Sequence, residues 1–167
     1  VAFPGTMDLD IQNCMPNIVR HMIRCLDIGP DQKECYKPEL EMLDEICKDR
    51  DGFLRNKLQM SKGQGKTAMH KVLSGGAPPD SAKDEQVWKN LVKLSRFIRW
   101  FACSVFPIDW QTRLKESQSS SHNLHNRIVA HFWQIGEGLV LKHWCEFLLQ
   151  QPALKHISKC FDSYRLD

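Results

Sequence analysis

The chain has 167 residues, 42% of them hydrophobic and 26% charged, with a formal net charge of +3. That length supplies one domain with a core of its own and would leave two domains each small, so residues 1–167 are read as a single domain. The near-neutral balance gives no general electrostatic reason to expect nucleic acid or an anionic membrane, and no apolar run reaches the roughly 20 residues that cross a bilayer.

In chain order, the first helical signal runs from Asp8 or Asp10 to about Asp27. Ile11, Met15, Ile18, Met22 and Cys25 draw one apolar stripe at spacings of three and four. Pro16 falls inside it, so the helix either starts near Met15 or is kinked there, and Gly29-Pro30 ends it. Residues 37–62 read as helical again, in one or two pieces. Pro38 suits a first turn, Leu40, Leu43 and Cys47 follow, and Asp51-Gly52 interrupts before Phe53, Leu54 and Leu58. Residues 63–83 are expected to form a loop, since Gly63, Gly65, Gly75, Gly76, Pro78 and Pro79 leave no periodic core; a single helical turn fits around Thr67 to Leu73.

The strongest helix spans Ser81 or Asp84 to Val105, where Val87, Leu91, Leu94, Ile98, Phe101 and Val105 keep the rhythm and Pro107 follows. After a serine-rich loop, His122 to about Gln150 is helical through Leu124, Ile128, Phe132, Ile135 and Leu139. Gly136 and Gly138 weaken its middle by about 1 kcal/mol each against alanine. Pro152 ends it, and Ala153 to Tyr164 is expected as a short final helix. No β-hairpin signal and no repeat stands out. Four principal amphipathic segments imply an all-α fold, a four-helix bundle with an extra short C-terminal helix.

Several groupings invite a chemical reading. Ser61-Lys62-Gly63-Gln64-Gly65-Lys66-Thr67 has the flavour of a phosphate-binding loop, but Met60 stands where the first glycine belongs and a helical segment precedes it instead of a strand. A flexible Gly63–Thr67 loop is therefore expected. His122, His125, His131, His143 and His156, with Cys145 and Cys160, lack the His-Glu-x-x-His spacing or a close ligand set, so no metal and no cofactor are assigned. No nucleophile signature is present, and the chain is not read as an enzyme. Lys89, Lys93, Arg96 and Arg99, with Trp88 and Trp100, could follow a phosphate backbone. Such a stripe is more often a solvated helix face, and nucleic acid is not expected. Trp88, Trp100, Trp110, Trp133 and Trp144 should be mostly core, with one or two at an interface.

Cys14, Cys25, Cys35, Cys47, Cys103, Cys145 and Cys160 are scattered singly, a pattern that suits long-range bridges between helices or, in the alternative, reduced and partly buried thiols. No Asn-x-Ser/Thr site occurs, which leans mildly away from secretion. The order of cysteines, with Ile46-Cys47-Lys48-Asp49 followed by Gly52-Phe53-Leu54 at the head of a helix, resembles the short-chain haematopoietic four-helix cytokines, interleukin seven-like members that share the common gamma receptor chain.

That resemblance implies an up-up-down-down bundle held by Cys35–Cys145, Cys47–Cys160 and Cys103 with Cys14 or Cys25, each bridge contributing about 4 kcal/mol in the chain-entropy picture. It implies a secreted ligand that bridges cell-surface cytokine receptor chains without entering the membrane. Asn17, Arg20, His21 and Arg24 on the first helix and Lys89, Lys93 and Arg96 on the strong helix are the candidate receptor contacts. The alternative expectation is an intracellular helical interaction module whose cysteines are reduced.

Overall fold

The structure, a computed structural model, describes residues 7–10, 13–26, 28–105, 112, 124–150, 157–160 and 163–166. Among these, seven α-helices carry the core: α1 (Cys14–Cys25), α2 (Pro30–Cys35), α3 (Lys37–Lys48), α4 (Arg50–Asn56), α5 (Lys62–Leu73), α6 (Gln86–Val105) and α7 (Leu124–Leu149). The helical class is as expected from the periodicity; the way the helices are cut is finer than four segments.

α1 begins after Asn13, which takes a left-handed φ of 54°. Pro16 thus falls in the first turn, where a backbone N–H has no helical partner to lose. Of the two starts left open by the sequence, the helix takes the later one. Pro30 and Pro38 occupy the first turns of α2 and α3 for the same reason. The junction between α3 and α4 is made by Asp49, whose extended backbone breaks the helix and whose carboxylate accepts the Gly52 N–H at 2.8 Å. Asp49→Ala is expected to cost about 1 kcal/mol in chemical denaturation, the usual worth of an N-cap.

α5 corrects the loop expected over residues 63–83. Gly65, Met69, Val72 and Leu73 form its buried stripe, with a glycine standing where an apolar side chain would have revealed the period. The reason is close approach: a Cβ at Gly65 would sit 3.2 Å from both Leu54 and Met60 side chains. At the far end of α5, the Leu73 carbonyl accepts a hydrogen bond from buried Ser95 of α6 at 3.3 Å.

α1 packs on α3 and α7, and α6 packs on α3, α5 and α7, so α1, α3, α6 and α7 close into a ring. Its interior holds Val19, Leu43, Ile46, Leu91, Leu94, Ile98 and Phe132. Aromatic rings run through it: Tyr36 meets Phe97 at 4.7 Å, Phe97 meets Phe101 at 6.4 Å, and Phe101 meets Phe132 edge-on at 5.7 Å. α7 runs unbroken past both glycines. Gly136 is buried where α1 crosses, and a Cβ there would collide with Ile18 Cγ2, whereas Gly138 faces open space.

The chain ends supply a feature that local periodicity did not foresee. β1 (Met7–Asp10), β2 (Ile157–Cys160) and β3 (Ser163–Leu166) form an antiparallel sheet in the order β1-β3-β2. Leu166 lies opposite Met7 on one side and Ile157 on the other. The helix expected to start as early as Asp8, the short helix expected over Ala153 to Tyr164 and the absence of a hairpin are all corrected here. A four-residue strand is set by its partner across the sheet more than by its own composition, and β1 finds that partner at the opposite end of the sequence.

Candidate functional site

A cleft of about 850 Å³ opens between the start of α1, the α3–α4 junction, α5 and α7. α5 lines one wall with Lys62, Lys66, His70 and Ser74, a strict spacing of four that keeps these residues on one helix face. α7 lines another with Ala130, Trp133, Gln134 and Glu137, and Asn13, Cys14 and Asn17 come from α1. The floor is the segment Cys47–Asp51.

Its electrostatics are partly settled within the protein. Lys62 Nζ lies 2.7 Å and Arg50 Nε 3.3 Å from the Asp51 carboxylate, and these bonds, that from Lys62 first, hold its carboxyl below the ordinary range. Asp49 is occupied as a cap. Cys14 Sγ donates to Glu137 Oε1 at 3.4 Å. Lys48 and Lys66 enter no ion pair among the described residues. Burial, then the nearby Lys66 and Arg50 charges, lowers the His70 pKa below its ordinary 6.5. Burial also pushes the Cys47 thiol up to about 11, against the lowering pull of Arg20, so Cys47 is a thiol and not a thiolate nucleophile at neutral pH.

His70 carries a pH prediction. Its folded pKa lies below the unfolded value of 6.5, so the unfolded chain binds the proton more readily. The stability this group contributes is complete above pH 6.5 and falls as pH drops through the window beneath it. Denaturation series at pH 7.5 and pH 5.5 should show a smaller pH dependence in His70→Gln than in the parent.

Three buried polar atoms of residues that line the cleft, Asn13 Oδ1, His70 Nε2 and Trp133 Nε1, have no hydrogen-bond partner among the described residues. The Asn13 carboxamide is oriented by its other end, since Nδ2 donates to the Ile46 carbonyl at 3.0 Å. Buried polar groups are ordinarily satisfied, and these three are enclosed by the walls of the cleft with their capacity unmet.

The predicted receptor contacts separate in space. Asn17 is half-buried in the cleft wall. Arg20 Nε and Arg24 Nη2 lie 2.6 and 3.1 Å from the same Asp44 oxygen of α3, so both arginines clasp α1 to α3. His21 is exposed and lies 3.4 Å from Cys25 Sγ. Lys89, Lys93 and Arg96 line the exposed side of α6 and meet no carboxylate among the described residues; the stripe ends at the partly exposed Trp100, while Trp88 is core.

No disulfide joins any pair among Cys14, Cys25, Cys35, Cys47, Cys103 and Cys145. The bridges Cys35–Cys145 and Cys103 with Cys14 or Cys25 are therefore corrected. Cys35 sits exposed at the end of α2, which packs on α3, while Cys145 belongs to α7. For the pairing of Cys47 with Cys160, the Cys160 side chain lies outside the described residues, and Cys47 is an unbonded, half-buried thiol. The thermal midpoint is expected to be the same with and without a strong reductant; a drop of several degrees in reductant would contradict these thiols. Among the described residues no group of three His, Cys, Asp or Glu is placed to hold a metal. His122, His156 and the side chain of His125 lie outside them, and His143 pairs with Glu146 at 3.3 Å.

A second surface feature belongs to α7. The stripe Ile128, Phe132, Ile135, Leu139 is continuous in sequence but not in environment: Ile128 and Phe132 are 1% exposed, Ile135 42% and Leu139 50%. Phe147 and Leu149 beyond them are 60% and 70% exposed. Length explains this. At about 1.5 Å per residue α7 extends some 39 Å, against some 30 Å for α6 and 18 Å for α1 and α3. Beyond Gly136, where α1 crosses, the buried side chains of α7 are Leu141 and Leu148, outside the main core, and the original stripe stands in solvent.

Periodicity did identify this stripe, as core along its whole length. The cleft it missed altogether, although the spacing of Lys62, Lys66, His70 and Ser74 was there to be read once residues 62–73 were taken as helix. No family model matches the chain, and no curated protein or solved structure matches it either.

Proposed function

We propose that the protein acts by recognition, the outer half of α7 docking a partner protein whose surface is apolar with an acidic rim. The carrying observation is the stripe Ile128–Phe132–Ile135–Leu139, which leaves the core at Ile135 and stands half in solvent at Leu139. Exposed apolar surface of this kind is what interfaces bury. The rim charge follows from the neighbouring α6, whose Lys89, Lys93 and Arg96 meet no carboxylate among the described residues and so favour an acidic partner.

Within that reading the closed ring of α1, α3, α6 and α7 supports a four-helix core with added short helices, and an up-up-down-down order stays part of the proposal. It also keeps a cytokine-like ligand for cell-surface receptor chains as the second reading, with α7 and the Lys89–Arg96 face as its contacts. The unbridged cysteines favour the first: a helical protein–protein interaction module with reduced thiols, independent of covalent links.

A photo-crosslinking amino acid at Leu139, with one at exposed Glu41 of α3 as control, tests the proposal in the native cellular setting. A single protein should be captured from Leu139 and not from Glu41, and the purified pair should lose at least tenfold in affinity on Leu139→Asp (about 1.4 kcal/mol). Equal capture from both positions, or affinity unchanged by Leu139→Asp, would contradict it. Recovery of a receptor ectodomain would select the second reading.

A further inference from the structure

We infer that, until a partner is bound, the outer half of α7 pairs with that of a second copy of this chain, the two helices running antiparallel. The inference rests on the reading of that half as a docking surface and adds what occupies it in the free protein. Five exposed positions, Ile135, Leu139, Lys142, Glu146 and Leu149, follow one another at spacings of four, three, four and three. That is the spacing of the seam in a two-stranded coil. Its apolar positions alone would accept many occupants. The two charges on it are ordered, and their order singles out one.

An antiparallel pair has a twofold axis across the seam. With that axis level with Trp144, Leu139 lies opposite Leu149 of the second copy and Lys142 opposite its Glu146, since the members of each pair stand equally far from residue 144. The symmetry repeats both contacts. A parallel pair in register would instead set lysine on lysine at 142 and glutamate on glutamate at 146, which repel. Sliding the antiparallel pair by one layer sets Leu139 against Lys142 and Ile135 against Glu146, which leaves each charge against an apolar side chain.

Little within the chain holds these charges back. Lys142 Nζ and Glu146 Oε1 are 3.9 Å apart with 68% and 54% of their side chains exposed, and the other Glu146 oxygen lies 3.3 Å from His143. Ion pairs so open to water contribute little, so exchanging them for the second copy's charges loses little. Leu141 and Leu148, the buried side chains of this stretch, lie on the far side of the helix from Leu139. At about 1.5 Å per residue the two Phe132 side chains stand roughly 36 Å apart along the pair, so the two cores do not collide. The seam covers about two heptads, short of the three or four that sustain a coiled coil. The chain is therefore monomeric at low micromolar concentration and pairs as it is concentrated.

Sedimentation equilibrium of the full chain, from about 5 μM to about 500 μM, tests the pairing. The parent should show a reversible monomer–dimer equilibrium. Lys142→Glu and Glu146→Lys, at exposed positions that leave the far-UV dichroism unchanged, should each weaken it at least tenfold. An equimolar mixture of the two variants should recover the parent's association, because every charge pair across the mixed seam is opposite again. A parent that stays monomeric over the whole range overturns the pairing. So does a dimer indifferent to both substitutions, or a mixture that associates no better than its components. A monomeric parent leaves the docking of another protein to stand or fall on capture from Leu139.

Discussion

Phe132→Ala is expected to lower the free energy of unfolding by about 3–5 kcal/mol, while Leu139→Ala, one heptad further along the same stripe, changes it by about 0.5 kcal/mol or less. Both positions carry large apolar side chains on one face of one helix, and the sequence offers no reason to treat them differently. The structure does: Phe132 is 1% exposed and stacks edge-on against Phe101, whereas Leu139 is 50% exposed. Truncating the first opens a cavity that its neighbours fill only in part; truncating the second removes a side chain already half in water. Urea denaturation of the two variants makes the comparison. Similar losses at both positions would mean that α7 is covered along its whole length.

The second large effect is a difference in sign. Gly136→Ala should destabilise by about 1–3 kcal/mol, because its methyl group would be driven into Ile18 in a well-filled contact. Gly138→Ala should stabilise by up to about 1 kcal/mol, since nothing lies near its Cβ and alanine is the better helix former. Two glycines that weaken the helix equally on propensity are thus separated by packing: one admits α1, the other does not. If both substitutions stabilise, α1 does not cross α7 at that point.

Where a helix is long and its apolar residues are large, the local pattern was enough to find it. α6 lies close to its expected position, and α7 spans its expected length. α5 was hidden because its stripe includes Gly65, an apolar contact made by the absence of a side chain. β1 was hidden because it pairs with β3 across nearly the whole sequence, while the β2–β3 hairpin is local and was missed because its four-residue strands carry no clear alternation of their own. The cysteines misled for a related reason. Spacing along the chain says where sulfurs fall in sequence, but bridging depends on which helices share a face. Arg20 and Arg24 were read as open contacts from helix periodicity alone, and Asp44 on the neighbouring helix claims both.

The two surfaces differ in kind: the cleft has a polar lining and lies between four elements, whereas the outer half of α7 leaves Ile135 and Leu139 in solvent.

Site-resolved amide hydrogen exchange along α7 in the isolated protein bears most directly on the exposed stripe. The amides of Ile128 to Trp133, packed against α6 and α1, should exchange only through opening of the core, and those from Leu139 to Leu149 at least a hundredfold faster through local fraying. Uniform slow exchange over the whole helix would contradict the account, because its outer half would then open no more readily than the packed core.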